Sequence, residues 1–538
     1  TITPQILSKR GYGGDLEYRY ILDRQSRGQW LVSFIQDTTA DRSRAVLTGS
    51  HAQFVTPTLS IRAQGNYLTD RTILENLSNS GVLRALPSQE SYLSVNQQHD
   101  SGNLYLFGQY LQPLGAGGRD TFQRLPELGH SMVGVAPFDG PVLIGLDSTF
   151  VNFFREEGFG FNRADVVPGV STEVLDLGHV IGLTPQFKFR ETYYTRGVTT
   201  VQSVHRETFW AGVQATSRMA RRFRFDEGGS LLHTIEPRVF YEYVPPSDQS
   251  DIIVVDAIDD LPKKHLVTYS TRTRLLGQHA EGRTTNWLDL TVAQSYRLGA
   301  AQGLARAFPF PGDPQFSSLT QPLQPVQVPI EGKKFSDVWL RAVLGNPVGA
   351  GPKQSALSLT VDAFLDPYQV EFSQINTDLR YQQETDWYLE VGQRYTHPGN
   401  RVRRGDIWNP LSFGEVFAPT PELEFLTAAG AVRLPFSWTV GARTYYDIDR
   451  GKSPETDVVA LYQNPCRCWS LGLFYIKFPD REQYNFLISL TGVGATESLG
   501  VQVLRAILSP LLEGERGLPW APGRSRQTTP SPTVGTAQ

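Results

Sequence analysis

The sequence predicts an all-β fold, a large antiparallel transmembrane β-barrel with long extracellular loops, on three observations. Apolar and polar residues alternate with period two from one end of the chain to the other. No apolar run approaches the roughly 20 residues that a membrane-spanning helix needs. The 29 Phe, 22 Tyr, 9 Trp and 49 Gly, against only 2 Met, suit strands joined by turns, with rings near the water boundary.

Trp469, Leu471, Leu473 and Tyr475 fall on one face of a strand, and Ser470 and Gly472 on the other. Tyr484, Phe486, Ile488 and Leu490 alternate in the same way with Asn485 and Ser489, as do Leu357, Leu359 and Val361 with Ser358 and Thr360. Successive strand side chains point to opposite faces, so each segment has one apolar and one polar face. Patterned this way throughout, the sheet separates an apolar medium from water. The strand candidates begin at 1–8, 15–22, 29–37, 44–54 and 58–68. They continue through 91–98, 103–112, 142–154, 180–195, 207–218 and 235–244, then 265–276, 287–298, 337–344, 355–365 and 369–382. The last are 387–396, 424–434, 437–447, 457–463, 468–478 and 483–491. Several match the 9–11 residues of a tilted spanning strand. At roughly 20 residues per strand with its connection, the chain holds strands in the mid-twenties.

Short connections such as 23–28 and 479–482 read as turns on one side. The stretches 245–264, 300–335 and 398–423 are long, rich in Pro and Gly, and aperiodic. Short turns opposite long loops are the asymmetry of outer-membrane barrels. Residues 1–494 are expected to form the barrel and 495–538 a C-terminal tail, partly disordered, its stretch from Ser509 being rich in Pro, Gly, Ser and Thr. No leader-like segment follows Thr1, which leaves localisation open.

The 50 Lys and Arg nearly balance the 54 Asp and Glu, so nothing points to a nucleic acid partner. A mean hydropathy of −0.28 fits a polar lumen with polar loops as well as it fits a soluble protein. Nucleophile elbows, phosphate-binding glycine loops and metal-binding Cys/His frames are absent, so no catalytic residue, cofactor or metal is assigned and an enzyme is not expected. His233 and Glu236 lie three apart on a strand and therefore face opposite sides. Asp256, Asp259 and Asp260 read as a hard-cation cluster or as solvated loop residues, the second being the commoner fate. Arg218, Arg221, Arg222 and Arg224 read either as a rim that contacts anionic headgroups or as a polar turn. Cys466 and Cys468 would point to the same face of an extended segment, where a bond between them needs a distorted backbone. They read as two buried free thiols, or as thiols whose partners lie outside this chain. Pro4 sits inside the first strand candidate, where it cannot donate to a ladder; it marks either an edge or weak seam, or simply a strand start.

Several segments carry a family resemblance. Thr1-Ile2-Thr3-Pro4 with Ser8-Lys9-Arg10-Gly11 resembles the first barrel strand of the lipopolysaccharide-assembly family LptD. HTIEPRVFYEYVPP at 233–246, followed by Asp248-Gln249-Ser250, is similar to that family's EPR and YVP segment, and FQRLPEL at 122–128 to another of its strand starts. The cysteine-bearing stretch 462–473 and the final strand 481–492 also resemble it, so the likeness runs from Thr1 to about residue 494.

The resemblance implies a single barrel of about 26 strands and a periplasmic jelly-roll domain ahead of Thr1. It implies that the two C-terminal cysteines bond to cysteines in that N-terminal region, although Cys-Arg-Cys here departs from the family's adjacent pair. The implied function is assembly of lipopolysaccharide in the Gram-negative outer membrane. The sugars would pass through the lumen and the acyl chains through a lateral gate between the first and last strands. Gate residues on this reading are Thr1, Ile2, Thr3, Pro4, Gln5, Ile6 and Leu7 against Asn485, Phe486, Leu487, Ile488 and Ser489. Implied partners are lipopolysaccharide, outer-membrane lipid, an LptE-like plug lipoprotein in the lumen and an LptA-like periplasmic bridge docking on the N-terminal domain. The alternatives are a passive porin or solute-receptor barrel and, more remotely, a soluble multi-domain β protein.

Overall fold

The computed structural model describes residues 2–7, 10–23, 25–74, 88–114, 119–137, 140–225, 228–256, 258–259, 261, 263–278, 284–299, 334–348, 356–397, 423–479, 482–490, 499–512 and 518. The first strands are Ile2–Leu7 (β1), Gly11–Ile21 (β2), Arg27–Asp37 (β3), Arg42–Phe54 (β4), Leu59–Leu68 (β5), Ser88–His99 (β6) and Gly102–Pro113 (β7). Gln123–Val135 (β8), Val142–Phe154 (β9), Phe161–Thr172 (β10), Leu175–Leu177 (β11), Ile181–Tyr194 (β12), Val204–Thr216 (β13) and Met219–Arg224 (β14) follow. Next come Ser230–Val244 (β15), Lys264–Gln278 (β16), Thr284–Arg297 (β17), Val338–Val348 (β18), Ala356–Asp366 (β19) and Glu371–Gln383 (β20). The set ends with Trp387–Thr396 (β21), Leu423–Leu434 (β22), Trp438–Asp447 (β23), Lys452–Gln463 (β24), Trp469–Lys477 (β25), Glu482–Leu490 (β26) and the helix Leu499–Leu512 (α1).

All 26 strands belong to one antiparallel sheet in which, β11 and β14 apart, each pairs with the next, as the alternation predicts. Short β11 and β14 are additions to β12 and β15, so β10 also pairs with β12 and β13 with β15. β10, β11 and β14 escaped the sequence reading, and β8 was marked only by the family resemblance at 122–128 and not by alternation. β10 carries Arg163 and Asp165 on its buried face and Pro168 in its middle, and β14 exposes all six residues, so neither has a plain apolar stripe.

The two faces differ as the alternation requires. Phe150, Val166, Val170, Leu426 and Val432 are exposed on the outer face. Their neighbours Val151, Arg163, Asp165, Thr427 and Ala431 are buried on the inner one. No described helix is long and apolar enough to cross a membrane. The strand ends joined by the four longest connections, 69–87, 245–263, 298–337 and 397–422, all lie at one end of the sheet. The turns at 23–28 and 479–482 do not share a side as expected. Each hairpin reverses the chain, so successive connections alternate ends, and these two fall at opposite ends. The loops 300–333 and 398–422 lie outside the described residues.

Two further expectations are corrected. The stretch from Ser509, expected to be without structure, begins inside a helix, because α1 runs to Leu512 and packs on the inner face; 513–517 and 519–538 lie outside the described residues. Nor do the first and last strands pair. Among the described residues β1 pairs only with β2, and β26 only with β25, so the sheet is not closed.

Candidate functional site: the inner face and the seam

At the long-loop end, residues 245–261 fold against the inner wall instead of standing in solvent. Ile252 and Ile253 pack on Val151, Phe153, Phe161 and Tyr194 of β9, β10 and β12. Arg163 of β10 reaches both Asp256 and Asp259 at 2.7 Å, and Arg124 of β8 reaches Asp256 at 2.7 Å and Glu127 at 2.9 Å. Arg206 of β13 donates to the Asp259 carbonyl at 2.9 Å and to Gln249 at 3.0 Å, and the Tyr194 hydroxyl donates to Asp259 at 2.8 Å. All three guanidinium groups and all three carboxylates are buried, so the knot is charge-balanced where an unpaired ion would be costly. Asp256 and Asp259 are therefore neither solvated nor a cation cluster, and Asp260 lies outside the described residues. Burial alone would raise the Asp256 carboxyl. Arg163 and then Arg124 more than offset it and hold the group at about 2.

Nearer the short-turn end, the inner faces of β15 to β18 carry charged side chains around a cavity of about 1000 Å³. Arg272 grips Asp289 through two bonds of 2.8 and 2.6 Å, and Arg274 meets Glu236 at 2.6 Å. His233 turns the other way and bonds Thr273 at 2.9 Å, so it and Glu236 lie on opposite faces as read from the spacing.

At the short-turn end, α1 lies against the inner wall of β21 to β25. Val503, Leu504, Ile507, Leu508, Leu511 and Leu512 form one buried stripe packed on Ala431, Val459, Leu461 and Ile476. Glycines make room for it: a Cβ on Gly441 would lie 2.6 Å from Ile507, and one on Gly472 2.7 Å from Leu504. Carbonyls at a helix C-terminus lack internal donors. Tyr388 donates to Ile507 O at 2.6 Å, Gln382 to Pro510 O at 3.1 Å, and Arg433 to Leu511 O. Tyr388→Phe is expected to weaken helix docking by about 1 kcal/mol. The measurable consequence is faster amide exchange across 503–508 with the strands unchanged.

At the seam, Asn485, Leu487 and Ser489 of β26 point inward, and Phe486 and Ile488 point outward. Tyr484 and Phe486 are 76% and 74% exposed, against 40% for Leu473 one strand inward, as befits an edge without a neighbour. Ile2, Thr3, Pro4, Gln5, Ile6 and Leu7 form β1, with Pro4 opposite Gly14 of β2, and Thr1 lies outside the described residues. The expected juxtaposition of the two gate strands is thus not made by backbone pairing.

Cys466 and Cys468 are exposed in the turn between β24 and β25 and are bonded to each other. The same-face geometry of an extended segment does not apply, because Arg467 adopts a left-handed φ of 54°. The reading as buried free thiols is overturned. Sequence reasoning missed Arg124, Arg163 and Arg206, because on these polar-rich strands nothing in the sequence marks an inward arginine as one with a distant partner.

A family model described as LptD, LPS transport system D, matches residues 42–406. The chain belongs to the LptD family. Three relatives carry the name LPS-assembly protein LptD. That of Thiobacillus denitrificans is 29% identical over 48% of this chain and 35% of its own length. That of Methylococcus capsulatus is 23% identical over 87% of this chain and 46% of its own. That of Shewanella frigidimarina is 21% identical over 93% and 65%. The chain thus spans between a third and two thirds of the length of these LptD relatives.

Proposed function

We propose that this chain is the barrel of an outer-membrane translocon that delivers lipopolysaccharide to the outer leaflet without making or breaking covalent bonds. Phosphorylated sugars travel along the charged inner face. Acyl chains, which do not belong in water, leave sideways between β1 and β26. The observation that carries this reading is the pair of strand edges, β1 and β26, which among the described residues have no partner at the one place where the sheet must close. Pro4 supports it by removing a ladder donor from β1. A lipoprotein in the lumen and a periplasmic bridge acting through an N-terminal domain complete the proposed assembly.

The test is a disulfide across the seam, Thr3→Cys with Ser489→Cys, in a reconstituted delivery assay. Oxidation is expected to reduce lipopolysaccharide insertion at least tenfold, and reduction to restore it. Unchanged insertion with the crosslink formed would sink the lateral exit. A passive porin would instead conduct ions equally with and without its lipoprotein partner.

A further inference from the structure

The arginine-rich strand β14 has two unlike faces. In its register with β15, Met219, Arg221 and Phe223 stand opposite Ile235, His233 and Leu231, on the outer face. There the Arg221 guanidinium lies 5.0 Å from the Phe223 ring. Ala220, Arg222 and Arg224 stand opposite Thr234, Leu232 and Ser230. That row continues along β15 to Glu236 and Arg238, which line the inner cavity. β15 runs for 15 residues, beyond the 9–11 that a tilted strand needs to cross a bilayer. Its first six residues pair with β14, and this hairpin, the tongue, lies at the short-turn end of the sheet with β16 alongside it.

Among the described residues, charge along the inner face of the tongue is unbalanced. Arg218 sits 3.4 Å from Glu236, which already holds Arg274 at 2.6 Å. Among the described residues, Arg222, Arg224 and Arg238 have no carboxylate within ion-pair distance. Arg222 and Arg224, two residues apart on one face, are close enough to repel one another unless an anion joins them. The planar guanidinium fork matches phosphate oxygens in a two-point grip. A cavity of about 1000 Å³ has the size of a site for a ligand of several rings.

We propose that Arg222, Arg224 and Arg238 form an intake ramp at the short-turn mouth. It captures the phosphate-bearing saccharide headgroup of the cargo and passes it into the cavity. This deepens the translocation reading and rests on it. The occupant is cargo and not bilayer phospholipid, because these side chains share the inner face whereas the outer face carries Met219 and Phe223. The segment read from the sequence as a rim or a polar turn is strand β14.

The experiment uses the intact protein in phosphatidylcholine nanodiscs. Its probes are a bisphosphorylated glucosamine-disaccharide lipid and the same lipid without phosphates. Arg222→Glu with Arg224→Glu is expected to weaken binding of the bisphosphorylated probe at least tenfold and to leave the other probe unchanged. Arg238→Glu should do the same, and Arg221→Glu on the outer face should stay within twofold. Heat-modifiable gel mobility checks that each variant is folded. Equal losses for both probes, no loss, or an equal effect of Arg221→Glu would overturn the ramp. So would competition by phosphatidylglycerol vesicles at similar concentration, which would make the tongue a general bilayer anchor. If the seam crosslink blocks insertion while these reversals leave binding unchanged, the ramp alone fails. If the crosslink has no effect but the reversals weaken binding, the lateral exit alone fails.

Discussion

Arg163→Ala should release residues 245–261 from the inner wall and destabilise the folded protein by about 3–5 kcal/mol, the cost of leaving buried charge uncompensated. Arg163 is the only side chain among the described residues that ion-pairs with both Asp256 and Asp259. Removing it leaves two buried carboxylates sharing Arg124 and the Tyr194 hydroxyl. The loss is read by denaturant unfolding in detergent and by protease cleavage within 245–261, which should appear in the variant and not in the parent. Arg163→Lys retains the charge but not the fork, so it should recover only part of the loss. Two opposed shifts set the pH dependence: burial raises the Asp259 carboxyl, which weakens the knot as pH rises through its titration, whereas the arginines lower Asp256. The folded value of Asp256, about 2, lies below the ordinary 3.8, so its contribution is fully present above pH 3.8. It fades as pH falls towards 2. Acid-triggered cleavage of the parent near neutral pH would contradict the arrangement.

Gly441→Leu should expel α1 from the lumen wall. The new Cβ would meet not only Ile507 at 2.6 Å but the Gly430 carbonyl at 2.9 Å and the Ala431 Cβ at 3.0 Å. Two of those three belong to β22 and cannot rotate aside. Overpacking of this kind costs about 1–3 kcal/mol, which corresponds to roughly 5- to 150-fold in the undocked population. A Leu508→Cys reporter, buried in the parent, should then react with a maleimide faster by that factor. Gly472→Ala is the milder comparison, since its nearest obstacle is the far end of the Leu504 side chain. Labelling of Leu508→Cys at one rate in all three backgrounds would refute the wedge.

The outer face was legible in the sequence because lipid-facing positions must be apolar, and that alternation marks most strands directly. The inner face was far less legible. A lumen wall may carry any side chain that finds a partner, so Arg163 and Asp165 disguise β10, and Pro126 with two register shifts disguises β8. The loop carboxylates could not be told from solvated ones, since their partners lie about 90 to 130 residues away along the chain. The helix did leave a trace. Val503, Leu504, Ile507, Leu508 and Leu511 recur at helical spacing, but Pro510 and the Ser/Pro-rich stretch beyond it hid the pattern. The cysteine geometry failed on a single left-handed residue, Arg467, which turns an assumed strand into a bend.

The long separation between the members of the buried ionic knot bears on biogenesis. Its parts come from β8, β10, β13 and the segment after β15, so no partial chain ending before residue 259 can tie it. Until all of these are in place, stray arginines face an unfinished wall, and the downstream segment stays open to passing proteases. Its closure acts as a checkpoint, a molecular receipt that the first half of the cylinder has been laid down in order.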